Sequence, residues 1–442
     1  MNIVLLSGGS GKRLWPLSND IRSKQFLQIF RREDGTYESM VQRMVRGLRE
    51  ADPAARITFA TSVKQVSSLK HQLGDDVDVS VEPARRDTFP AIALATAYLK
   101  DVRGISGDDT VVVCPVDPFV DASYFSALKE LDALAKKGTA NLCVMGMEPT
   151  YPSEKYGYIL PAEGEGSDGQ VFRVGTFREK PDARTAASYI EQGALWNGGV
   201  FAYRTDYVLD RTRELTGYAG YDALRAHYEE LEKISFDYAV CEKETEIAAL
   251  RFHGTWKDLG TWNTLTEAME EAVVGDAVLD DTCENVHVIN DLDMPVLCMG
   301  LKDVVVSASP DGILVSDLHQ SSYIKPYVDK LDEPVMYAEK SWGSYKVIDI
   351  GENSLTIKVT LLPGHRMNYH SHGYRDEVWM ITSGVGVAVT DGKVRSVKTG
   401  DIVQLPVGTK HTLIAETEIQ VIEVQTGDVI TAEDKIKFPL EL

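Results

Sequence analysis

Asn2-Ile3-Val4-Leu5-Leu6-Ser7-Gly8-Gly9-Ser10-Gly11-Lys12-Arg13-Leu14-Trp15-Pro16 is the stretch whose reading decides the fold. Ile3 to Leu6 is a short apolar run closed by Ser-Gly-Gly, which predicts a buried strand feeding a glycine-rich turn. No basic n-region or small-residue cleavage site accompanies it, so a secretory leader is not expected. Gly8, Gly9 and Gly11 permit close approach of backbone N–H groups to an anion, and Lys12 and Arg13 add positive charge beside them. The spacing fits neither Walker A nor the dinucleotide fingerprint. A tight strand-to-helix turn with two solvated basic residues would use the same residues, but Lys24 in Ser23-Lys24-Gln25-Phe26 adds a third cation a short loop away.

Outward from this stretch, apolar runs alternate with segments of helical period as far as about residue 265. Strands are predicted at Ile3 to Leu6, Ile57 to Ala60, Val77 to Val81, Thr110 to Cys114 and Leu142 to Met147, with helices at Tyr37 to Glu50, Ala91 to Val102 and Tyr124 to Lys137. That alternation predicts an α/β, Rossmann-like domain with a mostly parallel sheet over residues 1–270 and ligands at the carboxyl ends of its strands. Residues 271–335 break into short β-rich pieces, predicting a small β connector with the texture of a short β-solenoid. Residues 336–442 read as regular short strands with glycine turns, the pattern of a β-barrel or sandwich.

The chain has 442 residues, of which 43% are apolar and 26% charged, a globular composition sufficient for two or three domains. Its 46 basic and 67 acidic residues give a net charge of −21, which argues against nucleic acid and anionic membrane surfaces as partners. No apolar run reaches the length of a membrane span. Five scattered cysteines without a C-x-x-C pair predict reduced thiols and a cytoplasmic location.

The string GGSGKRLWPLS followed by KQF resembles the signature of sugar-1-phosphate nucleotidyltransferases, most closely the long bacterial mannose-1-phosphate guanylyltransferases. Further matches follow in order: Glu82-Pro83 with Arg86-Asp87-Thr88-Phe89-Pro90, Pro115-Val116-Asp117, Tyr156-Gly157-Tyr158, Phe177-Arg178-Glu179-Lys180-Pro181, Trp196-Asn197-Gly198-Gly199, Ser235-Phe236-Asp237 and Trp256-Lys257-Asp258-Leu259-Gly260. The resemblance implies attack of a sugar 1-phosphate on the α-phosphorus of a nucleoside triphosphate, with GTP and mannose 1-phosphate as substrates and Mg²⁺ held by Asp117 and Asp258. It assigns Arg13, Lys24, Asp117, Lys180 and Asp258 to catalysis. Gly8, Gly9, Gly11, Lys12, Arg13, Glu82 and Asp87 go to the nucleotide, and Gly157, Glu179, Lys180 and Asn197 to the sugar. Asp87 stands where relatives often have Asn; it either accepts from guanine or caps the helix beginning near Pro90. Pro118 and Gly198 replace the usual His and Ser, so base or sugar preference is open. Homo-oligomer formation is left open as well.

Near the C-terminus, Gly364-x₅-His370-x-His372-x₄-Glu377-x₆-Gly384 and Gly400-x₅-Pro406-x-Gly408-x₂-His411 resemble both halves of the cupin signature. Residues two apart on a strand share a face, so His370 and His372 point together, and Glu377 and His411 can converge from neighbouring strands. Three imidazoles and a carboxylate suit Zn, Mn, Fe or Ni. Long guanylyltransferases often carry mannose-6-phosphate isomerase activity in such a cupin β-barrel, and Ser341-Trp342-Gly343-Ser344-Tyr345 resembles its entry. The isomerase pattern has three consecutive histidines where this chain has His370-Ser371-His372-Gly373-Tyr374, so isomerase activity and a non-catalytic metal barrel both stay open. Pyrophosphorylases for other sugars or bases, and a catalytically dead sugar-nucleotide sensor, are the competing expectations.

Overall fold

The computed structural model describes residues 1–442 except 9–11, 20, 165–168, 332–333, 432 and 441–442. Contacts divide the chain into two compact units: residues 1–10, 24–66 and 76–270 in one, and 11–23, 67–75 and 271–442 in the other.

The first unit is built on a nine-stranded sheet. Along the chain its strands and their short companions are β1 (Asn2–Ser7), β2 (Phe30–Arg31), β3 (Tyr37–Glu38), β4 (Arg56–Ser62), β5 (Asp78–Glu82), β6 (Thr110–Pro115), β7 (Pro118–Val120), β8 (Leu142–Met147), β9 (Tyr158–Pro161), β10 (Val171–Arg178), β11 (Leu195–Arg204), β12 (Ile247–Phe252) and β13 (Trp256–Asp258). The sheet order is β5-β4-β1-β6-β11-β8-β12-β10-β9. The first four strands run parallel, with Ile3 opposite Ile57 and Val112, as the alternation of strand and helix requires. β11 enters antiparallel between β6 and β8 and turns the far half into a mixed sheet. β11 is entered from helix 183–191, and its run Leu195 to Tyr203 is buried apart from Gly199, as a strand inside the sheet requires.

Helix boundaries follow local chemistry. Helix 40–51 begins at Met40, three residues later than the expected Tyr37, because Ser39 and Gln42 form a reciprocal capping box. Tyr37–Glu38 pairs instead with Phe30–Arg31 as a hairpin. The helix of residues 88–101 is apolar all round because both sides are covered. Phe89, Ile92, Ala95 and Leu99 pack into the sheet core, and Leu94 and Ala97 against Leu224, Tyr228 and Leu231. No helix of the described residues is long and apolar enough to cross a membrane.

In the second unit, Val273–Gly275, Glu284–Asn290 and Lys302–Ser309 lie parallel in one small sheet, with Gly312–Asp317 antiparallel at its edge. Ala277–Leu279 and Val296–Cys298 form a second parallel pair. Val286, Val288, Cys298 and Val306 fill the space within these strands. Beyond Tyr337 come a six-stranded and a five-stranded sheet, antiparallel throughout, around a core that includes Trp379, Leu361, Leu413 and Val421. All five cysteines are free thiols.

Candidate active site

Asp117 follows the central strand β6, and Asp258 ends β13. β7 and β13 pair antiparallel with Asp258 opposite Pro118, so the hairpin-like contact brings two carboxylates distant in sequence to one strand end. Between them lies Lys24, whose Nζ is 2.8 Å from Asp117 Oδ2 and 3.4 Å from Asp258 Oδ1 and also donates to the Leu259 carbonyl. Lys24 is held there because Gln25 and Phe26 are buried and the Gln25 amide donates to Ser7 Oγ at the end of β1. Burial works against the ammonium's charge, but the two carboxylates overcome it and raise the Lys24 pKa above the ordinary value. Two converging carboxylates beside a strand end are the donor set Mg²⁺ takes from protein when phosphates and water supply the rest.

The residues expected at the sugar form a second cluster. The Glu179 side chain is buried and pairs with Lys180 Nζ at 2.7 Å, and the Glu179 backbone N–H donates to Glu242. Gly157 lies close to both sugar-side residues: a Cβ added there would lie 2.5 Å from Glu179 Oε2 and 3.3 Å from Asn197 Cβ, so a side chain at 157 would displace the Glu179 carboxylate. Asn197 donates its backbone N–H to the Gly157 carbonyl at 2.8 Å and its amide to Asp237 Oδ1 at 2.6 Å. Lys180 has φ +44°, an uncommon value for a non-glycine residue and one that tends to persist where surrounding structure imposes it. Trp196 packs against Tyr151 and Tyr156, and Tyr156 against Trp256, two residues before Asp258. This aromatic run joins the sugar cluster to the carboxylate pair.

Asp237 lies within a quoted motif, yet sequence reasoning gave it no role; its task of orienting Asn197 becomes visible only in three dimensions. Burial, with Glu179 nearby, pushes its carboxyl up to about 6 against the opposing Asn197 hydrogen bond. An acid raised on folding costs stability as it ionises, so stability should fall as pH rises from about 4 to about 6. Asp237→Asn keeps an acceptor for the Asn197 amide and should flatten that limb by about 1–2 kcal/mol after allowance for partial exposure. Urea titrations at pH 4.5 and 7 check this; equal pH dependence in variant and wild type would rule it out.

On the base side, Glu82 at the end of β5 accepts from Tyr228 OH at 3.0 Å, and burial pushes it up to about 7. Asp87 is exposed, has φ +70°, and accepts from Thr88 N at 2.8 Å as the N-cap of helix 88–101. The cap contact is thus formed. Gly8 is exposed, whereas Gly9 and Gly11 lie outside the described residues. Lys12 and Arg13 belong to the second unit; Lys12 pairs with Asp329 at 3.1 Å and the Arg13 side chain is exposed.

The second unit brings together His370, His372, Glu377 and His411, all buried, with one ligand atom from each within 4.8 Å of the others. His370 and His411 are cross-strand partners. Each imidazole turns Nδ1 to a backbone carbonyl, of Asn368, Asp434 and Thr409 respectively, which leaves Nε2 inward. Glu377 lies 3.0 Å from His372 Nε2 and 3.2 Å from His411 Nε2, yet His411 Nε2 makes no hydrogen bond. An orphaned buried imidazole nitrogen among fixed tautomers fits a metal ion, and the carbonyls are the outer-shell partners such a site needs. Asp434, missed in the sequence, also accepts from the Gly373 and Tyr374 N–H groups, so the C-terminal segment braces His372. The cluster opens on a cavity of about 360 Å³ lined also by Lys340, Trp342, Arg375, Glu423 and Lys435.

A nucleotidyl transferase family model matches residues 2–273, and one for the C-terminal part of mannose-6-phosphate isomerase matches residues 331–439. A protein described as a putative mannose-1-phosphate guanylyltransferase, from Vibrio cholerae serotype O1, is 29% identical, with 98% of each chain covered. Mannose-1-phosphate guanylyltransferase of Escherichia coli K12 is 28% identical over 98% of this chain and 97% of its own. Among solved structures, one described as mannose-1-phosphate geranyltransferase, from Thermus thermophilus, superposes with a TM-score of 0.62 at 27% identity, covering 75% of this chain and 99% of that one. The first family match spans more than half of the sequence and contains the Asp117, Lys180 and Asp258 clusters: the chain belongs to the nucleotidyl transferase family.

Proposed function

We propose that this protein makes GDP-mannose and pyrophosphate from GTP and mannose 1-phosphate, in the cytoplasm, for polysaccharide or glycoconjugate synthesis. The observation that carries the reading is the Asp117–Lys24–Asp258 cluster, in a chain similar over nearly its whole length to mannose-1-phosphate guanylyltransferases. A phosphate oxygen of the sugar attacks the α-phosphorus of GTP; the new P–O bond forms as the α–β bond breaks, and pyrophosphate leaves with the bonding electrons. Two polyanions must meet, so catalysis consists of positioning and charge neutralisation. Mg²⁺, when bound by Asp117 and Asp258, supplies much of that neutralisation.

This chain's own residues do the rest. Arg13, with Lys12, holds the triphosphate, helped by the backbone of Gly8, Gly9 and Gly11. Lys24 keeps both metal carboxylates oriented and adds positive charge beside them. Lys180 takes the sugar phosphate, Glu179 and Asn197 bond its hydroxyls, and Gly157 leaves room for the ring. Glu82 and Asp87 are assigned to guanine. We divide the chain functionally into a transferase domain over 1–270, a connector over 271–335 and a cupin over 336–442. A screen of nucleoside triphosphates against sugar 1-phosphates with Mg²⁺, read as pyrophosphate release, tests the reading; no release from any pair refutes it.

Asp87 separates base recognition from capping. Asp87→Ala should raise KM for GTP selectively if the carboxylate reads guanine, whereas loss of the cap alone should cost about 1 kcal/mol of stability with no change in base preference. Paired thermal melts and GTP-against-ATP kinetics decide between them.

A second activity is favoured by the cupin cavity. The His370, His372, Glu377 and His411 cluster borders a space of about 360 Å³, with Lys340, Arg375 and Lys435 on its walls. We assign it a transition metal and isomerisation of mannose 6-phosphate to fructose 6-phosphate. Absence of fructose 6-phosphate formation by metal-loaded protein would leave the cupin as a non-catalytic metal barrel.

A further inference from the structure

The described residues between Lys12 and Arg22 are tied down by side chains that lie beyond the stretch matched as nucleotidyl transferase. Ser309 Oγ donates to the Pro16 carbonyl at 2.7 Å. Asn19 Nδ2 donates to Asp311 Oδ2 at 2.6 Å, while Asn19 Oδ1 accepts from the backbone N–H groups of Ile21 and Arg22, so one amide both shapes the loop and attaches it. Arg22 is buried, with Nη1 2.7 Å from Asp291 Oδ2 and its guanidinium over the Tyr337 ring at 5.2 Å. Glu339, also buried, adds to the field that keeps Arg22 charged. Trp15 lies so close to Gly312 that a Cβ there would sit 2.4 Å from the indole, and Gly312 has φ +147°. The exposed Lys12–Asp329 pair is the weakest of these ties.

These contacts differ from ordinary packing in what they hold. The segment exposes Arg13 and carries Lys12, and its anchors at 291, 309, 311 and 337 all fall outside residues 2–273. A buried guanidinium stacked on an aromatic ring and paired with a partly exposed carboxylate has one good geometry, so a displacement of the ring or of the carboxylate is felt by the segment that carries it. We propose that Asp291, with Ser309 and Asp311, acts as a clamp on the Lys12–Arg22 segment, positioning it so that the connector sets the affinity for the nucleoside triphosphate. Asp291 and Arg22 are positioning residues and touch no substrate. The proposal rests on the reading that Arg13 and Lys12 hold the triphosphate.

The test uses the full-length protein with Mg²⁺ and calorimetric GTP binding alongside steady-state kinetics. Asp291→Asn should weaken GTP binding and raise its KM about 10-fold, less than the roughly 100-fold that an ångström-sized misplacement can cost, with KM for mannose 1-phosphate unchanged. The charge swap Arg22→Asp with Asp291→Arg should recover part of the loss. Should Asp291→Asn not fold, Ser309→Ala removes one tie without exposing a buried charge and should move GTP affinity in the same direction. GTP affinity unchanged in the folded variants, or both KM values rising together with lost stability, overturns the clamp. Arg13→Ala separates the two levels: if it leaves GTP binding intact, the triphosphate assignment fails and the clamp with it. If it abolishes binding while Asp291→Asn and Ser309→Ala do not alter it, the clamp alone fails.

Discussion

Asp258→Asn is expected to lower kcat by about two to three orders of magnitude while the fold persists, and Asp117→Asn by a similar factor, because on the proposed function each removes a carboxylate that would hold the Mg²⁺ neutralising the reacting phosphates. Neither residue belongs to a hydrophobic core: Asp258 ends a three-residue strand, and Asp117 lies in the turn between β6 and β7. Circular dichroism and the melting temperature should therefore change little. A secondary effect is specific to this geometry. Lys24 is largely withdrawn from water and keeps its charge because two carboxylates outweigh the cost of desolvation. With one carboxylate neutralised the balance shifts toward burial, so the Lys24 pKa should fall and the residual activity should acquire a steeper loss at alkaline pH than wild type shows. Near-normal turnover in either variant would take that carboxylate out of the metal site. A kcat loss without the altered alkaline limb would leave the carboxylate roles standing and remove Lys24 from the account.

His370→Ala combined with His411→Ala should reduce transition-metal content from about one per chain to none, read by elemental analysis of purified protein. The two rings are cross-strand partners, so removing both deletes one whole side of the ligand set. Single variants should retain part of the metal, since three inward groups remain. Asp434→Ala supplies an independent check, because it removes the carboxylate that holds the Gly373 turn and so loosens the segment whose backbone carbonyl fixes His372. Losing such an outer partner typically costs about 10–100-fold in metal affinity. Transferase kinetics should survive the double variant in large part, since none of its residues belongs to the Asp117, Lys180 or Glu82 clusters. Full metal occupancy in the double variant would show that the histidine cluster is only a buried polar network.

Much of this could be read from the linear chain. Strands such as Ile3 to Leu6 and Thr110 to Cys114 are continuous apolar runs because both faces of the sheet are covered, and a run of that kind is visible without coordinates. The start of helix 40–51 was also written in Ser39-x-x-Gln42, a cap that outweighs the aromatic residue before it. His370-x-His372 predicts two rings on one face because strand periodicity is a local property. Asp237 and Asp434 were opaque for the opposite reason: an acid at either position reads as a turn or surface residue until the partner it faces, Asn197 or His372, is brought to it.

What the sequence by itself determined is therefore the set of local structures and the types of ligand atom: strand, glycine turn, cap, paired imidazoles and scattered carboxylates. Only the tertiary structure decided which of them act together. The antiparallel entry of β11, the pairing of β7 with β13 that brings Asp258 beside Asp117, and the attachment of Lys12–Arg22 to Asp291 and Ser309 all join residues far apart in the chain. Such contacts are selected by the burial of whole faces and the satisfaction of buried charge, quantities that belong to the packed molecule and have no counterpart in a window of sequence.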